Sequence, residues 1–150
     1  MPNTKSQISV IVPMYNEVEN TEPLLTEIAT AMQNWAEFEI IAVDDCSTDG
    51  TTEKLQTLKS QITNLRVIHH QRNLGQSNAV VSGIYAAHYD CIATLDGDGQ
   101  NNPADIIHLF EAAQSAQLPL NKILVAGNRQ KRNDSFVRLL SSRLANWVRS

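Results

Sequence analysis

The stretch ISVIVPMYNE, residues 8–17, carries the first decision about the fold: Ile8 to Val12 form an unbroken β-rich run closed by Pro13, with polar side chains following. A strand wetted on one face alternates apolar and polar residues. A continuous apolar run instead reads as a strand buried on both faces, as in a parallel sheet clad by helices. A helix is therefore expected next. Leu24, Ile28 and Met32, with Leu25 and Ala29 beside them, repeat at its period. Asn20 or Thr21 offers an N-cap, with Pro23 in the first turn.

The same alternation continues outward from that first unit. Further strands are expected at Glu39–Val43, Leu65–His69, Cys91–Leu95 and Ile123–Ala126. Leu55, Leu58 and Ile62 mark the helix after the second strand, and Ile106, Phe110 and Ala113 the one after the fourth, which Asn102 and Pro103 suit as N-cap and N1. Ala79, Gly83 and Ala86 or Ala87 form a small-residue stripe that suits a helix lying close on the sheet. Strands alternating with helices at these spacings predict an α/β domain, with right-handed βαβ units and a mostly parallel sheet flanked on both faces.

The 150 residues fit a single domain, and 42% hydrophobic with 19% charged residues is a globular composition, without the bias of disordered or fibrous chains. Cys46 and Cys91 stand far apart with no CxxC pair, so neither a zinc site nor a disulfide framework is indicated. The polar first seven residues lead directly into a strand, which does not read as a signal peptide and places the start in the cytosol. No apolar run reaches the roughly 20 residues of a membrane-spanning helix.

In open α/β sheets ligands lie beyond the carboxyl ends of the strands. Here those ends carry Pro13, Tyr15, Asn16 and Glu17 after the first strand, Asp44 and Asp45 after the second, Arg72 and Asn73 after the third, and Asp96, Asp98 and Gln100 after the fourth. The sharpest of these is LDGDGQ, 95–100, in which a buried strand delivers two carboxylates one residue apart. Their mutual repulsion is relieved by a hard divalent cation, Mg²⁺ or Mn²⁺, taking oxygen ligands from Asp96, Asp98, the Gln100 amide and substrate phosphates. The spacing lacks the glycine and terminal glutamate of an EF-hand loop. Asp44 and Asp45 exceed what helix capping needs, and a carboxylate there can accept from a base N–H or ribose hydroxyls. Arg72 offers a fork suited to phosphate. His69 and His70 alternate faces on a strand and read as structural.

The charge is unevenly spread. Residues 1–121 hold five Lys/Arg against fifteen Asp/Glu, a net of −10, whereas 122–150 hold seven against the single Asp134, a net of +6. The basic end includes Arg129, Arg138 and Arg143, with Phe136, Leu140, Leu144 and Trp147 as an apolar helical stripe. That composition suits either packing on the sheet or an anionic lipid surface, while the acidic remainder disfavours nucleic acid. A helical pattern running to Ser150 without a C-cap or closing strand reads as the N-terminal portion of a longer protein.

Taken in order, VIVPMYNE at 10–17, VDDCSTDGT at 43–51, RNLGQSNAVVSGIYAA at 72–87 and LDGDGQNNP at 95–103 resemble the family 2 inverting glycosyltransferases, and among them the dolichyl- and polyprenyl-phosphate sugar transferases. The resemblance implies a GT-A fold and transfer of a hexose from a nucleoside diphosphate sugar, GDP-mannose or a UDP-sugar, to a polyprenyl phosphate on the cytoplasmic face of a membrane. It implies Asp96 and Asp98 as catalytic metal ligands with Gln100, and a donor site formed by Pro13, Tyr15, Asn16, Glu17, Asp44 or Asp45, Arg72, Asn73 and Gly75. It further implies an acceptor-loop region at 129–150, in which Arg129, Arg138, Ser142 and Asn146 approach the lipid phosphate. DGDGQ departs from the more apolar version in eukaryotic members. A saccharide acceptor, or a non-catalytic nucleotide-sugar-binding fragment, is the alternative reading. A sugar nucleotidyltransferase would open with a Gly-rich basic loop, and PMYNEVEN has neither Gly nor Lys.

Overall fold

The computed structural model describes residues 6–115. Four strands and four helices alternate in them: β1 (Ser6–Met14), α1 (Val18–Met32), β2 (Ala36–Asp44), α2 (Thr51–Gln61), β3 (Leu65–His69), α3 (Gln76–Ala86), β4 (Ile92–Thr94) and α4 (Asp105–Ser115). The expected strand at Ile123–Ala126, the apolar stripe from Phe136 to Trp147, and Arg129, Arg138, Ser142 and Asn146 lie outside the described residues.

All pairings are parallel, in the order β3-β2-β1-β4. Residues of β1 alternate between the two faces, and both faces are covered. Val10, Val12 and Met14 join Ile40 and Ala42 of β2 against Leu25, Ile28 and Met32 of α1 and Leu55 of α2. On the other face Ile11 packs with Ile41, Val43 and Ala79 of α3. This double burial is why β1 reads as a near-continuous apolar run, with Ser9 the one polar residue between Ile8 and Val12.

The small-residue stripe on α3 has a steric cause. A Cβ placed on Gly83 would lie 2.4 Å from Cγ2 of Ile11, so only glycine lets α3 approach β1 this closely. Beneath the end of α3 sits a buried polar network that the sequence did not announce. Glu39, 6% exposed, accepts from the Ser9 hydroxyl at 2.7 Å, the Arg66 guanidinium at 2.6 Å and the His88 amide at 2.6 Å. Burial raises the pKa of Glu39, and these donors more than offset it, leaving the carboxyl below its ordinary value. Arg66 also donates to the carbonyl of Ala86, which ties the end of α3 to β2 and β3.

Two expectations about boundaries are corrected. Pro13 does not close β1, which continues to Met14. The odd residues of β1 turn their backbone groups toward β4, as the bonds from Ser9 N–H to Cys91 O and from Leu95 N–H to Ile11 O show. The missing N–H of Pro13 therefore falls on the β4 side, where pairing has ended, and the bond to β2 is unaffected. Likewise α1 begins at Val18, before Asn20 or Thr21, which leaves Pro23 inside the helix. Its first amides are capped from a distant loop: Glu17 N–H donates to Thr51 Oγ1 at 2.9 Å and Val18 N–H to Asp49 Oδ2 at 3.1 Å.

Candidate active site

The sheet order sets where a ligand can lie. β1, β2 and β3 follow one another toward one edge while β4 lies on the other side of β1, so the connections diverge between β1 and β4. At that switch point the loops separate and leave a crevice at the carboxyl ends of the strands. The loop after β4 is pressed into it. A Cβ on Gly97 would meet the Pro13 carbonyl oxygen at 2.7 Å and Met14 Cγ at 3.2 Å, so the glycine between the two aspartates is what allows this approach.

Asp96 and Asp98 are each half-buried at this edge. Gln76, the first residue of α3, donates its side-chain amide to Asp96 Oδ1 at 2.6 Å, and Asp98 Oδ1 accepts the Gln100 N–H at 3.0 Å. Gln100 itself is exposed. Among the described residues no group of three or more His, Cys, Asp or Glu side chains stands together as a metal cluster. A pair of carboxylates nevertheless fits Mg²⁺ or Mn²⁺, hard ions that bind through one or two carboxylates and fill their remaining positions with water and substrate phosphates.

On the β1 side, Asn16 has φ +54 and Cys46 φ +66, values uncommon for residues other than glycine. One knot of bonds holds Asn16 and the residues that follow Cys46. Asn16 N–H donates to Ser47 Oγ at 3.0 Å, and its side-chain oxygen accepts Thr48 N–H at 2.8 Å. Asp49 caps α2 through Thr51 N–H at 3.0 Å while also holding Val18. The β1 and β2 loops are thereby fixed to each other, with Tyr15 left 48% exposed at the rim and Glu17 bonded to the Asn20 amide. Pro13 is buried, placed to shape the crevice floor by its carbonyl.

Asp44 and Asp45 are turned inward on opposite faces of the sheet. Asp44 accepts from Ser47 N–H, Thr52 Oγ1 and His69 Nδ1, and Asp45 from His70 Nδ1, Leu74 N–H and Gly75 N–H. His69 and His70 fall on the two faces as expected of adjacent strand residues, each meeting one of the acids. Burial raises the pKa of both aspartates, and their donors more than offset it, so both lie below the usual carboxylate value. Asp45 in turn sets the 72–75 loop, in which Arg72 and Asn73 are exposed and Gly75 takes φ +88 at the start of α3.

A consequence follows for acid stability. A folded pKa below the unfolded value of about 3.9 gives stabilisation that is complete well above that value and is lost as pH falls through it toward the folded pKa. Asp45→Asn keeps the shape but removes the charge from a site with three donors, costing about 1.5–3 kcal/mol at pH 7. Thermal melts from pH 7 down to about pH 3 should show the unmodified chain converging on Asp45→Asn as acid is added; parallel curves would contradict it.

Several of these partners escaped sequence reading. Gln76, His70 and Asp49 meet their carboxylates or amides across 20 to 31 residues of chain, Ser82 meets the His70 ring across 12, and no local spacing signals such contacts.

Comparison with known proteins places these features in a family. The model of glycosyl transferase family 2 matches residues 9–145. Dodecaprenyl-phosphate galacturonate synthase of Rhizobium johnstonii is 34% identical over 149 residues, covering 98% of this chain and 43% of that protein. Dolichol-phosphate mannosyltransferase of Pyrococcus furiosus is 37% identical over 143 residues, covering 95% of this chain and 40% of that protein. The chain thus spans about two fifths of the length of these relatives. Among solved structures, the mannosyltransferase PcManGT of Pyrobaculum calidifontis, in complex with GDP-Man and Mn²⁺, superposes with a TM-score of 0.58 at 25% identity, over 65% of this chain and 29% of that one. S. aureus TarS 1–349 in complex with UDP-GlcNAc gives 0.58 at 26% identity, over 72% and 32%. The four-stranded parallel sheet with helices on both faces is the GT-A arrangement of these glycosyltransferases. The chain belongs to glycosyl transferase family 2.

Proposed function

We propose that this domain binds a nucleoside diphosphate sugar across the crevice between β1 and β4 and, within the whole protein, transfers the hexose to a polyprenyl phosphate at the cytoplasmic membrane face. The observation that carries this reading is the Asp96-Gly97-Asp98 loop seated against Pro13 at the switch point of the sheet. Relatives named for dodecaprenyl-phosphate and dolichol-phosphate substrates support the acceptor class, and neighbours holding GDP-Man with Mn²⁺ or UDP-GlcNAc support the donor class.

Charge gives the loop its role. Residues 1–121 carry a net −10, so a diphosphate entering this edge meets an unfavourable field unless a cation is held there. Asp96 and Asp98, with Gln100, would hold Mg²⁺ or Mn²⁺, and the ion when bound neutralises charge on the departing diphosphate. The protein's own part is alignment. Tyr15 and the knotted Asn16 and Glu17 loop border the donor on the β1 side, Asp44 and Asp45 fix from beneath the loops that border the nucleotide end, and Arg72 and Asn73 reach the phosphates from the opposite loop. A phosphate acceptor is ionised at pH 7, so its oxygen attacks the anomeric carbon without a protein base, provided the two are held in line. Residues 1–150 form the donor-binding domain, with 129–150 as acceptor loop: Arg129, Arg138 and Ser142, with Asn146, receive the lipid phosphate. No helix among the described residues is long and apolar enough to cross a membrane, which is consistent with peripheral attachment of this segment.

A thermal-shift panel tests the donor assignment. A ligand at 100 times its Kd stabilises by about 2.7 kcal/mol, several degrees for a domain of this size. GDP- or UDP-sugars should raise the melting temperature with Mn²⁺ present and not in EDTA. No shift with any of them would reject the assignment.

A further inference from the structure

We propose that His70 is a positioning residue for the donor site: by gripping Asp45 it fixes the 72–75 loop that presents Arg72 and Asn73. The proposal rests on the reading that the donor occupies this edge. His70 follows β3 on the α3 face, and its side chain is 9% exposed. Nδ1 lies 2.7 Å from Asp45 Oδ1 and Nε2 lies 2.9 Å from Ser82 Oγ. A carboxylate only accepts, so Nδ1 carries a proton, and Nε2 meets a hydroxyl that can either donate or accept. The ring is therefore held at both ends, whichever protonation state it has.

Asp45 passes this fixation on. The oxygen that takes His70 also takes the Leu74 amide at 2.9 Å, and the other takes the Gly75 amide at 2.7 Å. One imidazole thus joins the ends of β2 and β3, the loop and the middle of α3. The Asp45–His70–Ser82 connectivity is that of a hydrolytic triad, but Ser82 is the seventh of eleven residues of α3. The amides around it are spent on the helix ladder, leaving none to stabilise an oxyanion. The chain of bonds is a brace and carries no nucleophile. Partners that orient a binding group from behind typically change affinity or activity 10- to 100-fold when removed.

Two isosteric fragments of imidazole separate the two arms. His70→Asn places an amide near the Nδ1 position, within reach of Asp45, whereas His70→Gln places one near Nε2, facing Ser82. Amide hydrogen exchange at Leu74 and Gly75 and calorimetric titration of GDP-mannose and UDP-GlcNAc with Mn²⁺ are the readouts, with melting temperature as control. His70→Gln should speed exchange at both amides at least about tenfold and weaken the bound nucleotide sugar about 10- to 100-fold. His70→Asn should stay within about threefold on both measures, since it keeps the bond to Asp45. Equal effects of the two variants, or unchanged loop exchange in His70→Gln, would overturn the proposal. If the unmodified chain bound neither nucleotide sugar, the donor assignment would fail on its own, and the exchange arm would still decide whether His70 holds the loop.

Discussion

Asp98→Ala should lower sugar transfer to a short polyprenyl phosphate by about 100- to 1000-fold in the whole protein, the scale of losing one preorganised electrostatic contact to the transition state. Gly97 sets the geometry of this loop. Because no side chain separates it from the Pro13 carbonyl, the two aspartates are delivered together at the crevice and not splayed into solvent. Asp98 is half-buried, and its Oδ1 accepts the Gln100 backbone N–H, so Asp98→Ala removes a proposed ion ligand and loosens the turn that carries Gln100. Melting temperature should change little, as neither group belongs to the core. Turnover within threefold of the unmodified enzyme would reject a metal role for this residue.

Gly83→Ala should destabilise the fold although it adds a single methyl group. Alanine gains up to about 1 kcal/mol over glycine inside a helix. Against that, the new Cβ sits 2.4 Å from Cγ2 and 3.2 Å from Cγ1 of Ile11, a fully buried β-branched side chain whose χ1 is restricted. Overpacking of this kind costs about 1–3 kcal/mol, so a net loss of roughly 1–2 kcal/mol, or about 2–8 °C in Tm, is expected. Shortening Ile11 makes room. The double variant Gly83→Ala/Ile11→Ala should therefore lose at least about 1 kcal/mol less than the sum of the singles. Strict additivity would show that α3 does not rest on Ile11.

The same pair explains why so much of the fold could be read in advance. Parallel strands buried on both faces leave near-continuous apolar runs such as Ile8–Val12, and a close-lying helix leaves a small-residue stripe, because burial acts on every residue of the element. The ends of elements were harder. Val18 and Glu17 receive their caps from Asp49 and Thr51, 31 and 34 residues away, so the neighbouring sequence offers only Asn20 and Thr21, which lie inside the helix. Pro13 misled for a related reason: whether a proline stops a strand depends on which neighbour its missing N–H would have faced, which is a property of the sheet and not of the segment.

The candidate site divides in the same way. Asp96 and Asp98 are legible because their chemistry lies in one short stretch, as two acids flanking a glycine at a strand's end. Gln76, which holds Asp96, and His70, which holds Asp45, are legible only once α3 and β3 have been brought to the edge. Asp44 and Asp45 stood out by their charge, yet their full sets of protein donors, which fix the loops around the crevice, emerged only in three dimensions.

The proposed function requires the Asp96–Asp98 pair to hold a divalent ion that tethers the donor's diphosphate. Electron paramagnetic resonance of Mn²⁺ titrated into the protein tests it most directly, with and without a GDP- or UDP-sugar. Free Mn²⁺ signal should fall as protein is added, fall further with the nucleotide sugar present, and recover in Asp96→Ala and Asp98→Ala. Equal Mn²⁺ uptake by the unmodified protein and both variants in the presence of nucleotide sugar would contradict it.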